Sequence, residues 1–126
     1  MPRFVVLCHE PGPNSSSPRH WDFMLEHRGQ LRTWGLTAEP DSGSIDAPIP
    51  ARQLVDHRLA YLDYEGVISG GRGTVTRWDA GTFEVVSDSD QVLEVTLSGV
   101  RLRGAAILAR GESPAGDWGF SFRRQS

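Results

Sequence analysis

The feature that most restricts the fold of this chain is a succession of short strand-like segments separated by turn-forming residues. Between His20 and Leu25 the large apolar side chains fall at every second position, which is the period of a half-buried strand. Segments of this kind occupy residues 4–7, 20–25, 31–36, 73–78, 82–86, 92–97, 105–109 and 119–122. Turn signals lie at residues 27–30, 79–81, 87–91, 98–99 and 111–116. The pattern predicts an all-β fold, a small closed or partly open β-barrel of about eight strands.

Helix signals are nearly missing from the sequence. Only residues 50–57 have a weakly helical pattern, in which Pro50 and Ala51 would open one or two turns. We therefore expect at most one short helix. Two segments rich in Pro, Gly, Ser and Asp, at residues 10–18 and 39–50, are expected to be loops.

Length and composition indicate one domain that spans residues 1–126. No internal repeat or linker divides the chain, and the single cysteine, Cys8, excludes an internal disulfide. No apolar run approaches the ~20 residues that cross a bilayer, and the apolar segment at residues 4–7 is too short for a signal peptide. We expect a soluble cytoplasmic domain with no membrane partner.

The charge balance restricts the possible partners. Thirteen basic residues, all of them arginine, stand against 16 acidic residues, so the formal net charge is −3. A protein that grips long nucleic acid electrostatically usually carries a basic surface, and this composition argues against that class. It leaves open a local site for a single anionic group.

His9, His20 and Asp22 form a candidate metal site. Residues 20 and 22 lie on the same side of a strand, opposite the aromatic face, and His9 ends the first apolar segment. Two imidazoles and one carboxylate suit a divalent transition metal that keeps positions open for water and substrate. The same set is also found in metal oxygenases, and a polar strand face is often simply solvated, so the pattern alone leaves these alternatives open.

Two further features have both a chemical and a structural interpretation. His57 and Tyr61 are four residues apart, so both side chains could lie on the same side of their segment. There the imidazole could transfer a proton and the phenol could bind a phosphate. The alternative is a His at the surface and a Tyr in the core. The glycine-rich residues 66–73 with Arg72 could approach an anion, but they match a tight bend better than a phosphate loop. Residues 78–82 are most simply a hairpin with a packed Trp.

The order of the motifs resembles a known family. His9 is followed by H-W-D-F-M-L-E at residues 20–26, D-H-R-L-A-Y at 56–61, Y-E-G at 64–66, W-D-A-G-T at 78–82 and L-S-G-V-R-L-R-G at 97–104. In this order they resemble the 3′-phosphoesterase domain of bacterial DNA ligase D and its stand-alone homologues. The resemblance covers about residues 4–123, nearly the whole chain.

The resemblance implies a β-barrel that acts as a Mn²⁺-dependent phosphoesterase on the 3′ ends of DNA or RNA primers in repair. It also implies that His9, His20 and Asp22 are metal ligands and that His57 and Tyr61 are catalytic. Other divalent transition metals are possible, and the implied partners are nucleic-acid 3′ ends and DNA repair ligase or polymerase proteins. By strand parity, Glu26 is a candidate to support the ligating imidazoles.

The chain departs from the family pattern at two basic positions. Met24 stands where the family carries Arg, and Ala38 where it carries Lys. Arg19, Arg52 and Arg72 are candidate replacements for binding the substrate phosphate. The alternative is a catalytically weakened module that keeps the fold and metal site and binds nucleic-acid ends or a repair partner.

Overall fold

The computed structural model describes residues 1–111 and 117–125. Within these ranges the strands are β1 (Arg3–Glu10), β2 (His20–His27), β3 (Gln30–Leu36), β4 (Ile49–His57), β5 (Gly66–Val67), β6 (Thr74–Asp88), β7 (Val92–Gly99), β8 (Arg103–Arg110) and β9 (Trp118–Arg124). Two 3₁₀ turns lie at Pro40–Ser42 and Leu59–Leu62. Over the same ranges, none of the helical segments has the length and apolar character needed to span a bilayer.

Eight of the strands form a closed ring of antiparallel neighbours. The order is β1-β2-β3-β4-β9-β8-β7-β6, and β6 pairs back with β1, while β5 adds to the outer edge of β6. Within the ring of eight strands, the shortest pairing is that between β4 and β9, with three residue pairs. The all-β barrel of about eight strands predicted from the sequence is therefore confirmed.

The inside of the ring is the main hydrophobic core. Every ring strand contributes to it, and Phe23, Trp34 and Phe120 are fully buried there. The Phe23 ring meets the Phe120 ring edge-on with centroids 5.0 Å apart, a favourable aromatic geometry. One face of each ring strand therefore packs in the core, and the other face is available for other contacts.

A second cluster lies on the outer face of β1, β2, β3 and β6. Phe4 and Val6 of β1 point into the barrel, whereas Val5 and Leu7 point outward and are also fully buried. This two-sided burial explains why residues 4–7 are continuously apolar rather than alternating. The second cluster, here called the outer cluster, consists of Val5, Leu7, Met24, Leu31, Leu62, Ile68 and Val75. Leu62 and Ile68 belong to the segment between β4 and β6, which covers this face.

The predicted helix at residues 50–57 is wrong, because these residues belong to strand β4. Ile49 and Ala51 are buried in the barrel, and β4 pairs with β3 on one side and β9 on the other. Pro50 and Ala51 can open a helix when no other structure competes for these residues. Here the edges of β3 and β9 supply partners for strand pairing instead. Tertiary pairing outweighs the weak local preference.

The predicted turns have mixed outcomes. The turn at residues 27–30 is confirmed, with Arg28 at φ 52° and Gly29 at φ 80°, the double left-handed conformation of a tight hairpin. The predicted turn at 79–81 is wrong, because β6 runs without interruption through these residues and joins two predicted strands. Gly81 is needed there since a side chain would collide with the backbone of Ser98 and Gly99. The predicted turn at 111–116 extends outside the described residues.

Asp79 holds the connection between β7 and β8. Its carboxylate is buried and accepts hydrogen bonds from the backbone N–H groups of Val100, Arg101 and Leu102, at 2.9, 3.2 and 2.8 Å. The Arg101 guanidinium lies over the Trp78 ring, 4.7 Å from its centroid. The W-D-A-G-T and L-S-G-V-R-L-R-G motifs thus contact each other at the connection between β7 and β8.

Replacing Asp79 should destabilise the fold. Asp79→Ala leaves three backbone donors without their acceptor, so we expect a loss of about 3 kcal/mol in the free energy of unfolding. Urea denaturation would measure it. The matched change Asp46→Ala, at an exposed loop position, should cost less than about 0.5 kcal/mol. Equal losses in the two variants would contradict the role of Asp79.

Candidate metal centre

Antiparallel pairing brings the three predicted metal ligands together. His9 near the end of β1 lies directly opposite His20 at the start of β2, and Asp22 is opposite Leu7. His9 Nδ1 is 3.2 Å from His20 Nε2, and the Asp22 carboxylate oxygens lie 3.7 Å and 3.1 Å from these two nitrogens. The three side chains can each offer one ligand atom, all within 4.8 Å of one another.

Backbone carbonyls fix which ring nitrogens carry protons. His9 Nε2 lies 2.7 Å from the carbonyl oxygen of Arg72, and His20 Nδ1 lies 3.4 Å from that of Pro18. A carbonyl oxygen only accepts, so in each hydrogen bond the imidazole is the N–H donor. In the neutral rings, His9 Nδ1 and His20 Nε2 are therefore left with lone pairs that face each other and Asp22.

The electrostatics of the cluster favour a positive charge at its centre. Interaction with the Asp22 side chain raises the pKa of both His9 and His20, against the lowering effect of their partial burial. Burial is the largest single influence on Asp22 and opposes its ionisation, but the two imidazoles together still hold the pKa of this carboxyl below its ordinary value. A buried carboxylate beside two lone pairs is stabilised by a cation, whether a proton or a metal ion.

The donor set fits a divalent transition metal. Ligand atoms that bind one ion at about 2.1 Å and at right angles to each other lie about 3 Å apart, close to the 3.2 and 3.1 Å separations found here. Oδ1 of Asp22 is buried and has no hydrogen-bond partner among the described residues, although His20 Nε2 lies beside it. The carbonyl partners of the two imidazoles also match the support that ligating histidines usually have.

A cleft of about 70 Å³ joins this cluster to the second pair of predicted residues. His9, Asp22, His57, Tyr61 and Arg72 all line it. His57 lies at the end of β4, where Nδ1 donates a hydrogen bond to the Val55 carbonyl at 2.8 Å, so Nε2 is the nitrogen left for proton exchange. Tyr61 lies in the Leu59–Leu62 turn, with its ring centroid 5.7 Å from that of His57. Its hydroxyl makes no hydrogen bond within residues 1–111 and 117–125.

The glycine-rich segment closes one side of the cleft. Gly70, Gly71 and Gly73 all have positive φ, and side chains at Gly12 and Gly73 would collide with backbone across the contact between residues 10–12 and 71–73. This close approach carries the Arg72 carbonyl onto His9. The segment is a bend, as its sequence suggested, and it also orients a candidate ligand.

The three candidate phosphate-binding arginines occupy different positions. Arg72 lines the cleft, and its Nε donates to the Ser69 carbonyl at 2.8 Å. Arg52 is exposed and lies opposite Gly35 in β3, on the side that faces His20 and Asp22. Arg19 forms an ion pair of 2.5 Å with Glu10, so its charge is already compensated.

Glu26 and the two departures from the family pattern are also placed by the structure. The Glu26 carboxylate accepts a hydrogen bond from the backbone N–H of Arg3 at 2.9 Å, and backbone carbonyls take the position beside the imidazoles that the sequence assigned to it. Met24 is 1% exposed and lines the cleft. Ala38 packs against the barrel core and is not one of the residues that line the cleft.

The sequence did not reveal the carbonyl groups of Arg72, Pro18 and Val55 that orient the three imidazoles. A backbone carbonyl carries no signature of residue type, so no motif could identify them. The glycines at 70, 71 and 73 were the only available signal, since they mark a backbone that packs closely against another segment.

Comparison with known proteins shows a family that this chain matches and a relative that it resembles. The family model of the DNA ligase D 3′-phosphoesterase domain matches residues 14–110, which include His20, Asp22, His57 and Tyr61, while His9 lies just before the matched range. The multifunctional non-homologous end joining protein LigD of Pseudomonas aeruginosa is 35% identical over 118 residues. That match covers 86% of this chain, and the chain spans 13% of the length of the relative.

The metal-free protein should lose stability as the pH rises. Raised histidine pKa values mean that the folded state holds protons more tightly, so this stabilisation is complete below the unfolded histidine pKa of about 6.5 and is lost as the pH passes the raised values. The lowered pKa of Asp22 acts in the opposite sense, but only under more acidic conditions. With a chelator present, the urea midpoint should therefore be lower near pH 8 than near pH 5.5.

The substitution Asp22→Asn should flatten this dependence because it removes the charge that both imidazoles face. The matched change Asp88→Asn, in the ion pair with Arg32, should keep the slope of the wild type. A slope that is the same in Asp22→Asn and the wild type would contradict the coupling.

Proposed function

The chain belongs to the DNA ligase D 3′-phosphoesterase family, and on this premise we propose that it hydrolyses phosphate esters at the 3′ ends of DNA or RNA primers during repair. The substrate is the end of a nucleic acid, processed by diesterase and monoesterase steps, and the site of action is the cytoplasm. The observation that carries the proposal is the cleft in which the cluster of His9, His20 and Asp22 meets His57 and Tyr61.

His9, His20 and Asp22 are the proposed ligands of Mn²⁺ or a similar divalent ion. Such an ion, when bound, would polarise a phosphoryl oxygen and offset the negative charge that develops during ester hydrolysis. The protein contributes the orientation of its ligands: the carbonyls of Arg72 and Pro18 hold both imidazoles in the tautomer that directs a lone pair at the centre of the cluster.

His57 is the proposed general acid. Its Nδ1–H donates to the Val55 carbonyl, so in the protonated ring the second proton is on Nε2. This Nε2 proton passes to the departing ester oxygen as the P–O bond breaks, while water adds to phosphorus and leaves its own proton on the phosphate product. In the same position the protonated ring would stabilise the charge on the transition state. His57 is half-buried on the wall of the cleft, within reach of a bound ester.

Tyr61 and the arginines are the proposed phosphate-binding groups. The Tyr61 hydroxyl, which has no hydrogen bond in the described part of the chain, would donate to a non-bridging oxygen. Arg72 is the best placed of the three arginines, because it lines the cleft. Arg52 would contact the nucleic-acid strand from the neighbouring outer face of the barrel. Arg19 would first have to break its ion pair with Glu10.

Removal of one imidazole tests the proposal directly. We expect the wild type with Mn²⁺ to release phosphate from a 3′-phosphorylated primer and to stop when a chelator is added. His9→Ala should lower turnover by at least about 100-fold through loss of a ligand, and His57→Ala by about 100-fold or more through loss of a general acid. Phosphate release gives the rates, and Mn²⁺ titration separates the variants, since only His9→Ala should bind the ion more weakly.

His27→Ala is the matched control, because His27 is exposed at the far end of β2. It should keep the turnover and metal affinity of the wild type. A wild type that releases no phosphate, or a His9→Ala variant that is as active as the wild type, would contradict the proposal.

The alternative function is a module that binds nucleic-acid 3′ ends or a repair partner without hydrolysis. Met24 favours it, because an apolar side chain fills the cleft position at which the family pattern has a guanidinium. The relative is named as a multifunctional end-joining protein, and this domain would then hold an end for ligase or polymerase proteins.

The substitution Met24→Arg separates the two functions. If the chain is a phosphoesterase, the added guanidinium should lower KM for a 3′-phosphorylated primer by about tenfold, the gain expected of a charged hydrogen bond to phosphate. Met24→Leu should leave KM unchanged. Wild-type binding without turnover, together with turnover gained in Met24→Arg, would establish the binding module instead.

A further inference from the structure

A pocket of about 230 Å³ adjoins the cleft that is lined by His9, Asp22 and His57, which we call the site cleft. Its walls are formed by Arg58, Tyr61, Tyr64, Val67, Ile68 and Ser69. Tyr61 and Ile68 also line the cleft with His57 and Asp22, so the two spaces share a wall. We call it the side pocket. None of the proposed catalytic steps uses it.

Tyr64 gives the side pocket a fixed aromatic wall. Its hydroxyl donates a hydrogen bond to the Val67 carbonyl, which ties the ring to strand β5. The ring stands edge-on to Tyr61, with centroids 5.9 Å apart and planes at 89°. Although held from two sides, Tyr64 is 38% exposed, so part of the ring is open to a ligand.

The remaining walls combine apolar surface with a positive charge. Val67 is 70% exposed, which is unusual for an apolar side chain beside a pocket, while Ile68 is buried beneath it. Arg58 is exposed and forms no ion pair with any described residue. An aromatic ring, an aliphatic side chain and a guanidinium are the groups on which unpaired nucleobases stack.

We propose that the side pocket holds the terminal base of a nucleic-acid 3′ end while its phosphate occupies the site cleft. The inference rests on the proposed function for the position of the phosphate. His57, Tyr61 and Tyr64 form a row in which neighbouring ring centroids are less than 6 Å apart, so the base and the phosphate of one nucleotide can lie on either side of Tyr61. The volume suits one base rather than a stretch of strand.

This arrangement gives the site a preference for unpaired ends. A base can enter the side pocket only if it has left its partner strand and its neighbour in the stack. Stacking on Tyr64 would then offset part of the cost of fraying the end. Tyr64 is in this view a specificity-determining residue, whereas Tyr61 contacts the phosphate.

Two single-stranded oligonucleotides test the inference. Both end in a 3′-phosphate, but one carries adenine on its last sugar and the other an abasic sugar. Their binding is measured by fluorescence anisotropy with Mn²⁺ present, on strands in which a methylene group replaces the bridging 3′ oxygen, so that the site holds its ion and hydrolysis does not occur. We expect the wild type to bind the adenine-terminated strand about tenfold more tightly, as one stacked base typically provides.

Substitutions in the side pocket should remove this difference. Tyr64→Leu should weaken binding of the adenine-terminated strand about tenfold and leave the abasic strand unchanged, whereas Tyr64→Phe should keep the preference because it keeps the ring. Val67→Trp at a mostly exposed position fills the pocket without altering the core and should abolish the preference as well. Val86→Leu, at an exposed position near the end of β6, is the control and should behave as the wild type.

The outcomes distinguish this inference from the proposed function. Equal binding of the two strands by the wild type overturns the inference, and so does a base preference that survives in both Tyr64→Leu and Val67→Trp. A preference that depends on Tyr64, in a protein that releases no phosphate with Mn²⁺, supports the side pocket and contradicts hydrolysis. Phosphate release without any base preference supports hydrolysis and contradicts the side pocket.

Discussion

The pairing of β1 with β2 is the constraint on which the site depends. It sets His9 opposite His20, and the same register places Leu7 opposite Asp22. A shift of one residue would turn every side chain of one strand to the other face, and would exchange Phe23 in the core for Asp22 outside. The buried aromatic residues inside the barrel therefore fix the positions of polar groups on its outer surface. Packing energy from the core holds three groups together that would repel one another without a cation between them.

Much of this arrangement could be predicted because it follows from strand parity. Alternation at residues 20–25 already separates an aromatic face from a face with His20 and Asp22, and the end of the first apolar segment identifies His9. The hairpin at 27–30 has a local signal in Gly29. Even the continuous apolar residues 4–7 have a simple explanation, since β1 is covered on its inner side by the barrel core and on its outer side by the outer cluster.

The parts that could not be predicted depend on contacts between distant segments. Strand β4 has a weakly helical sequence, and the edges of β3 and β9 decide its conformation. Asp79 resembles a turn residue, yet it lies inside β6 and binds backbone groups about 20 residues further along the chain. The carbonyls that orient His9 and His20 belong to segments whose sequence says only that they bend. In each case the contact that decides the conformation is made to backbone groups. Such groups are the same in nearly every residue, so the residue type does not reveal them.

The net charge of −3 conflicts with an anionic ligand only if charge is averaged over the whole surface. Several arginines are already compensated by carboxylates, as in the pairs of Arg3 with Asp63 and Arg32 with Asp88. The outer face of β1 and β2 works differently, because its buried carboxylate and two imidazole lone pairs attract a cation and not a phosphate. In the proposed function, the cation then carries the positive charge that the substrate meets, and the protein needs few basic residues of its own.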